Sequence, residues 1–301
     1  MMGWDWAPYS MNTTMGFGAS GPTTARYLTK GIVKSVYLVE VSTAAITHLV
    51  PHVFYNGAYP VTPLSDTNNG GFTVVLRTYL WSIGAVTGTV SVSGAWPGAT
   101  ASTPVSLVAG ENSVVLNLTA APGSVSLWWP NGLGAHPLYT VSTTFTPSGS
   151  SVGLTTSRQI GFRFAVYVTG NDTDPNWLNE NMNADGSANQ GMLFRVNGAA
   201  IYSRGANMIP PDNFMGRFSV ATISRMIQSA ADANFNFLRV WGGGLFLPTV
   251  FYDSCDSNGI LVFHDMMYAQ EGHSPNNKSV TEELEFRHQI RRLSPHPSVM
   301  L

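Results

Sequence analysis

The chain of 301 residues is long enough for two domains and too long for one ordinary β-sandwich. Its hydrophobic residues (44%) supply a core, whereas 15 Lys and Arg against 17 Asp and Glu leave a net charge of −2, which argues against nucleic acid as a partner. No apolar stretch approaches the roughly 20 residues of a membrane span, and the N-terminal MMGWDWAPYS lacks the basic and apolar regions of a signal peptide.

Residues 31–165 alternate between short apolar segments and clusters of Gly, Pro, Asn and Ser. This pattern predicts an all-β sandwich. The polar, Asn-rich stretch between Thr169 and Gly191 has no periodicity and is typical of a loop or domain linker. The predicted strands are IVKSVYLVEV, ITHLVPHVFY, GFTVVLRTYLW, GTVSVSG, NSVVLNL, SVSLWW, PLYTVSTTF and FRFAVYVTG.

After Gly191 the pattern changes to alternating strands and helices. Asn197-Gly198 lies between extended segments and predicts a hairpin, whose second arm runs into Tyr202-Ser-Arg-Gly as the first strand of a new sheet. The elements predicted after it are a helix opened by Ser219, a strand over Phe235–Trp241, a helix over Pro248–Asn258 closed by Gly259, a strand over Ile260–Asp265, a helix opened by the capping box Ser279-x-x-Glu282 and a strand from Ser298 to Leu301.

Short connections between these alternating units predict a parallel sheet. The triplet Gly242–Gly244 is not a dinucleotide fingerprint, so a barrel is favoured over a nucleotide-binding sheet and the glycines are interpreted as a flexible loop. In the last helix, Phe286, Ile290 and Leu293 form the predicted apolar stripe. Cys255, the sole cysteine, has apolar neighbours and is predicted to be a buried structural thiol.

Five segments, in order, resemble the β-mannosidase branch of glycoside hydrolase family 2: WDWAP, LWWPNGLGAHPLYTV, GANMIPPDNF, NFLRVWGGG with FYDSCDSNGILVFHD, and RRLSPHPSVML. The resemblance covers nearly the whole chain. It implies a multidomain β plus α/β fold: the end of a jelly-roll sandwich (1–42), an immunoglobulin-like β-sandwich (43–168), a linker (169–190) and the first half of a (β/α)8 TIM barrel (191–301).

The resemblance also implies a retaining exo-glycosidase that removes terminal β-linked mannose from an oligosaccharide or N-glycan-derived substrate. Retaining enzymes use two carboxylates, and the family supplies both as Glu in segments that we expect beyond Leu301. The chain alone is therefore expected to be inactive, and the alternative is a non-catalytic carbohydrate-binding or interaction module. The resemblance also implies a lysosomal or secreted location.

Barrel active sites lie at the carboxyl ends of the strands, which selects Asn207, Arg239, Trp241 and Asp265. Trp241 is either a sugar platform, as the resemblance implies, or a core side chain. Arg239 alternates with Trp241 and must be paired if it points inward. The resemblance implies that it keeps the nucleophile ionised, and the alternative is a structural ion pair. Asp265 either bonds to sugar or fixes a loop.

Asp212, in the loop after the first strand, has the same two interpretations as Asp265, and the structural one is favoured. Trp4, Asp5 and Trp6 are implied by the resemblance to reach the barrel mouth and bind sugar. No cofactor is expected, and His264 beside Asp265 lacks the third ligand that a metal site needs. Phe263-His264 stands where the family more often has Trp-Gln.

Overall fold

The computed structural model describes residue 32 and residues 35–169, 172–173, 193–212, 214–269 and 279–300. Most of the predicted first domain (1–42) and of the predicted linker (169–190) lies outside these residues. Residues 35–41 form no strand, so the strand predicted over IVKSVYLVEV is wrong there. Its apolar side chains from Val36 to Val39 are exposed, and among the described strands none pairs with this segment.

Two antiparallel sheets make up the sandwich. One has the order β1-β2-β5 and the other the order β4-β3-β6-β7. The strands are β1 (Ala44–Tyr55), β2 (Phe72–Ser82), β3 (Val86–Gly94), β4 (Thr100–Leu107), β5 (Gly110–Ala120), β6 (Tyr139–Pro147) and β7 (Leu154–Ile160).

The sandwich core follows from the two-residue alternation of its strands. Along β2 the buried positions are every second residue, beginning with Phe72, Val74 and Leu76, which are 0% exposed. Burial of each such side chain contributes roughly 1.5–3 kcal/mol. Thr78 and Thr143 are also buried, and their hydroxyl oxygens hydrogen-bond across the two sheets at 3.0 Å.

The sequence missed β4 and β7, since both are rich in Ser and Thr and half exposed. The strand predicted at SVSLWW is wrong: residues 124–129 form only an isolated bridge from Leu127 to Phe162. The last predicted sandwich strand is shorter than expected. It is β8 (Ala165–Val168), which pairs with the hairpin of β9 (Leu193–Val196) and β10 (Ala199–Ile201) rather than with the sandwich.

The Asn197-Gly198 turn confirms the predicted hairpin. Both residues have positive φ, 48° and 83°, as a two-residue hairpin turn requires. A Cβ at Gly198 would lie 1.9 Å from the Thr62 carbonyl oxygen, so no other residue fits there.

A parallel sheet with strands in chain order, β11-β12-β13-β14, follows the hairpin. Its first strand begins at Gly205, later than predicted. Its elements are β11 (Gly205–Met208), α1 (Val220–Asp232), β12 (Phe237–Val240), α2 (Thr249–Asn258), β13 (Leu261–His264), α3 (Val280–Leu293) and β14 (Val299–Met300). None of these helices is long and apolar enough to cross a membrane.

The predicted helix boundaries are confirmed by their caps. Ser219 accepts from the Thr222 N–H at 3.0 Å, and Ser279 with Glu282 forms the capping box. Gly259 ends α2 in the left-handed conformation, with φ of 68°. Cys255 is fully buried, as predicted.

The apolar stripe predicted for α3 is only partly correct. Leu293 is buried, but Ile290 is 45% exposed. The reason is that α3 also lies against the outer face of the sandwich, which it meets with polar side chains. There His288 Nδ1 lies 3.0 Å from His48 Nε2, and Arg291 binds Glu111 at 2.6 and 2.9 Å.

A buried polar junction joins the sandwich to the parallel sheet. Arg163 donates to the carbonyl oxygens of Pro297 and Val299 beside β14, the latter at 2.8 Å. Burial lowers the pKa of Arg163 to about 10, so the guanidinium remains charged at neutral pH. The Trp128 indole N–H donates to the Asp256 carbonyl oxygen at 2.8 Å. These bonds tie the start of β14 and helix α2 to the sandwich.

Candidate functional site

Three predicted side chains meet at the carboxyl end of the parallel sheet. The strand register sets Asn207 beside Arg239 and Arg239 beside Phe263, so Asp265 follows two residues later. Arg239 donates to Asn207 Oδ1 at 3.2 Å and to both carboxylate oxygens of Asp265, to Oδ1 at 3.3 Å and to Oδ2 more closely. A two-point arginine–carboxylate contact fixes orientation as well as distance. We call Asn207, Arg239 and Asp265 the strand-end cluster.

The strand-end cluster is accessible. The Arg239 and Asp265 side chains are 40% and 20% exposed, and Asn207 on the edge strand is exposed. Arg239 is paired with Asp265 and Asn207, and its predicted role toward the nucleophile stays a prediction. The cluster presents amide, guanidinium and carboxylate groups together, a set that can both donate to and accept from hydroxyl groups.

Gly242 holds the Asp265 carboxylate from the backbone. Its N–H donates to Asp265 Oδ2 at 3.1 Å. A Cβ at this position would lie 2.5 Å from the Met266 carbonyl oxygen and 3.1 Å from Asp265 Cβ. A side chain there would push the two loops apart, so glycine is required for this hydrogen bond.

Trp241 lies beside the strand-end cluster and is partly buried. A Cβ at Gly243 would lie 2.0 Å from Cζ2 of the Trp241 ring, so the ring covers this glycine closely. The Gly244 N–H donates to the Trp241 carbonyl oxygen at 3.0 Å, which closes a tight turn. The triplet therefore lies in a loop, as predicted, and its glycines allow close packing around Trp241, whereas the predicted flexibility stays a prediction.

Asp212 is bound within its own loop. It accepts from the Phe214 N–H at 2.7 Å and pairs with Arg217 at 2.6 Å. These contacts support the loop-fixing interpretation of Asp212. Trp4, Asp5 and Trp6 lie outside the described residues, and their role stays a prediction.

A buried Tyr–His pair behind the cluster was missed from the sequence. His264 Nε2 lies 2.7 Å from the Tyr252 hydroxyl, and His264 Nδ1 lies 2.8 Å from the Asp265 carbonyl oxygen. Burial lowers the pKa of His264 and raises that of Tyr252, which favours the neutral form of both. The departure from Trp-Gln at Phe263-His264 was the one signal in the sequence that pointed here.

A second cluster has the residue types of a metal site but the geometry of a hydrogen-bonded junction. The side-chain ligand atoms of Asp253, Asp256 and His296 lie within 4.8 Å of one another. However, His296 Nδ1 lies 2.6 Å from Asp256 Oδ2, and the Ser298 N–H donates to Asp256 Oδ1 at 3.0 Å. Asp256 is thus already occupied by donors, and the expectation of no metal stays a prediction.

Comparisons with known proteins point to one family. The chain matches no protein-family model. It is 34% identical over 178 residues to the β-mannosidase of Bos taurus, covering 58% of this chain and 19% of that protein. It is 28% identical over 316 residues to β-mannosidase A of Aspergillus terreus, covering 99% of this chain and 30% of that protein.

Solved structures share the fold. The β-D-mannosidase of Dictyoglomus thermophilum has a TM-score of 0.61 at 21% identity, covering 86% of this chain and 29% of that one. An exo-chitosanase of Amycolatopsis orientalis has a TM-score of 0.59 at 18% identity, covering 84% and 28%. The chain spans less than a third of the length of each of these proteins. Its sequence likeness to mammalian and fungal β-mannosidases, together with this shared fold, shows that the chain is a β-mannosidase-like member of glycoside hydrolase family 2.

Proposed function

We propose that this chain supplies the sugar-binding edge of a retaining, exo-acting β-mannosidase, which removes terminal β-linked mannose from oligosaccharide or N-glycan-derived substrates. The observation that carries the proposal is the strand-end cluster with Trp241 beside it. Pyranosides offer hydroxyl groups at their rim and C–H groups on their faces. Polar groups held in fixed positions suit the hydroxyls, and an aromatic ring suits the faces.

The same proposal extends to the domains. A parallel sheet in chain order with a helix between successive strands is how a (β/α)8 barrel begins, and we assign residues 191–301 to its first half. Residues 43–168 are assigned to an immunoglobulin-like sandwich and residues 1–42 to the end of a jelly roll, with a linker over 169–190. The two-sheet antiparallel packing supports the second assignment.

Retaining hydrolysis needs an acid/base and a nucleophile about 5–5.5 Å apart. Asp212 and Asp265, which follow the strands β11 and β13, are each held by an arginine. A carboxylate whose oxygens already accept hydrogen bonds from an arginine is suited to fixing a loop, as at Asp212, or to orienting a ligand, as at Asp265, rather than to donating a proton. We propose that both catalytic carboxylates come from residues outside these 301, and that Asn207, Arg239, Trp241 and Asp265 orient the sugar with Asp5 between Trp4 and Trp6.

The test is hydrolysis of an aryl β-mannoside, with the β-glucoside and β-galactoside as comparisons. The full-length protein should prefer the mannoside, whereas the 301-residue chain should show no turnover. Asp5→Ala and Trp241→Ala in the full-length protein should each lower kcat/KM on the order of 10²-fold with little change in Tm. Mannoside binding without hydrolysis by the full-length protein would favour the non-catalytic alternative.

A further inference from the structure

The Tyr252–His264 pair reaches the strand-end cluster through the backbone of Asp265. The carbonyl oxygen of Asp265 can only accept a hydrogen bond, so Nδ1 of His264 carries the proton. Nε2 is then the acceptor, and the Tyr252 hydroxyl is its donor. Neither of these two hydrogen bonds needs an ionised group. Together they connect Tyr252 on helix α2, through His264, to Asp265, which binds Arg239.

The packing around the pair leaves His264 little freedom. Its ring stacks on Phe246 with 5.7 Å between centroids and an interplanar angle of 12°, and on Tyr252 at 5.7 Å and 29°. His264 is 5% exposed and Tyr252 is 0% exposed. The Arg292 guanidinium lies 5.1 Å from the centroid of the Tyr252 ring, a position that disfavours a second positive charge on His264. The imidazole is therefore fixed in orientation by its stacking and in tautomer by its hydrogen bonds.

Both side chains are buried, and what they fix is the turn that follows β13. The Asp265 N–H donates to the Val240 carbonyl oxygen at 3.1 Å, and the Asp265 carbonyl oxygen accepts from His264. With both backbone groups of Asp265 held, the carboxylate has only its side-chain rotamer to settle. Arg239 and the Gly242 N–H settle that rotamer.

We propose that Tyr252 and His264 are positioning residues for Asp265, which hold its backbone so that its carboxylate stays aligned on Arg239 and the Gly242 N–H. This inference rests on the proposed function, since it deepens the account of the same sugar-binding edge. A misplacement of about 1 Å at such a group can lower the rate on the order of 10²-fold. The pair therefore contributes to sugar recognition without contact with sugar.

The test uses the full-length protein and three variants. Tyr252→Phe removes the hydroxyl that donates to Nε2, and His264→Leu removes both hydrogen bonds of the imidazole. His264→Gln keeps one donor and one acceptor and should restore the alignment. We expect kcat/KM for an aryl β-mannoside to fall about 3- to 10-fold in Tyr252→Phe and on the order of 10²-fold in His264→Leu, and to stay within about 3-fold in His264→Gln. Equal losses in His264→Leu and His264→Gln would overturn the proposal.

The matched control is Tyr139→Phe in the sandwich, where the tyrosine hydroxyl accepts from the Ser126 N–H at 2.7 Å. This variant also loses one tyrosine hydrogen bond, so it should change Tm without changing kcat/KM. If Tyr139→Phe lowers kcat/KM as much as Tyr252→Phe does, the effect of Tyr252 is general destabilisation and the proposal fails.

A second measurement does not depend on activity. Hydrogen exchange of the peptide that spans Gly242, followed by mass spectrometry, reports whether its N–H still donates to Asp265. Exchange should be faster in Tyr252→Phe and His264→Leu than in wild type and unchanged in His264→Gln and Tyr139→Phe. Faster exchange in a full-length protein that hydrolyses no β-mannoside would support the positioning role and overturn the proposed function. Unchanged exchange in Tyr252→Phe and His264→Leu would overturn the positioning role itself.

Discussion

The interior of the sandwich and the carboxyl end of the parallel sheet are organised by opposite means. In the sandwich, Val74, Leu76 and their neighbours are fully buried, and their positions follow from shape and alternation. At the sheet end, Arg239 and Asp265 remain partly exposed and are fixed by directional hydrogen bonds. Packing stabilises the first region, whereas the second keeps polar groups available. We therefore expect substitutions in the sandwich to change folding and substitutions at the sheet end to change recognition.

The strongest challenge to this comparison is Arg239→Met in the full-length protein. It leaves the Asp265 carboxylate without its cation and frees Asn207, so the sugar-binding edge loses its alignment. We expect kcat/KM for a β-mannoside to fall on the order of 10³-fold, while Tm changes by less than about 3 °C.

The control is Arg217→Met, which breaks the other arginine–aspartate pair, within the loop after β11. The Arg217 side chain is 63% exposed and its pair is local, so kcat/KM should change by less than about 3-fold. If the two substitutions have the same effect on kcat/KM, the strand-end cluster has no special role in binding.

Leu76→Ala tests the other side of the comparison. Leu76 is 0% exposed in the centre of the sandwich, and its truncation leaves a cavity. The free energy of unfolding should fall by roughly 2–5 kcal/mol, with kcat/KM of the remaining folded protein unchanged. Val115→Ala on the outer face of β5, where the side chain is 42% exposed, should lower the free energy of unfolding by less than about 1 kcal/mol. Denaturant titration measures both, and a changed kcat/KM in folded Leu76→Ala would show that the two regions are coupled.

The two regions also differed in how well the sequence predicted them. The helices and the hairpin turn were predicted because their signals are local: Ser219, Ser279 and Gly259 act on neighbouring backbone groups. The strands β4 and β7 were missed because Ser and Thr at half-exposed positions give little apolar alternation. Their place is set by pairing with distant strands.

At the candidate site, the rule that active sites lie at the carboxyl ends of barrel strands was sufficient to predict three residues. Asn207, Arg239 and Asp265 follow from the meeting of parallel strand ends at one edge. Tyr252 could not be found in this way, because it lies on α2 and reaches His264 only through the packing of that helix on β13. The contact of His288 with His48 joins residues 240 positions apart, and no local pattern indicates it.

That histidine pair links the stability of the α3–sandwich contact to pH. Burial, followed by the charges of His288, Arg291 and Arg158, lowers the pKa of His48 from 6.5 to about 4, whereas the Glu111 carboxylate opposes the shift. The unfolded chain thus binds a proton at His48 below pH 6.5 that the folded chain resists until about pH 4. This contribution to stability is full above pH 6.5 and is lost as the pH falls toward 4.

After allowance for solvent screening, the loss amounts to roughly 1–2 kcal/mol. His48→Gln should flatten the dependence of Tm on pH between 6.5 and 4 relative to wild type. His136→Gln is the control, because this histidine bonds to the Trp129 carbonyl oxygen inside its own turn, away from α3. A wild-type Tm that falls no more steeply than that of His48→Gln would contradict the role of the pair.

The smallest effect concerns Glu111, which tests whether the polar face of α3 is stabilised by charge or by packing. Glu111 is 47% exposed and binds Arg291, whose guanidinium carbon also lies 3.6 Å from the centroid of the Tyr79 ring. The carboxylate side of this ion pair is open to solvent, which screens the charge, so Glu111→Gln should lower the free energy of unfolding by less than about 1 kcal/mol, and less still at roughly 0.5 M salt. Tyr79→Leu should lower it by more at both salt concentrations, because Arg291 then loses the ring beneath it. A loss in Glu111→Gln that equals the loss in Tyr79→Leu and persists in salt would show that charge, rather than packing, holds α3 on the sandwich.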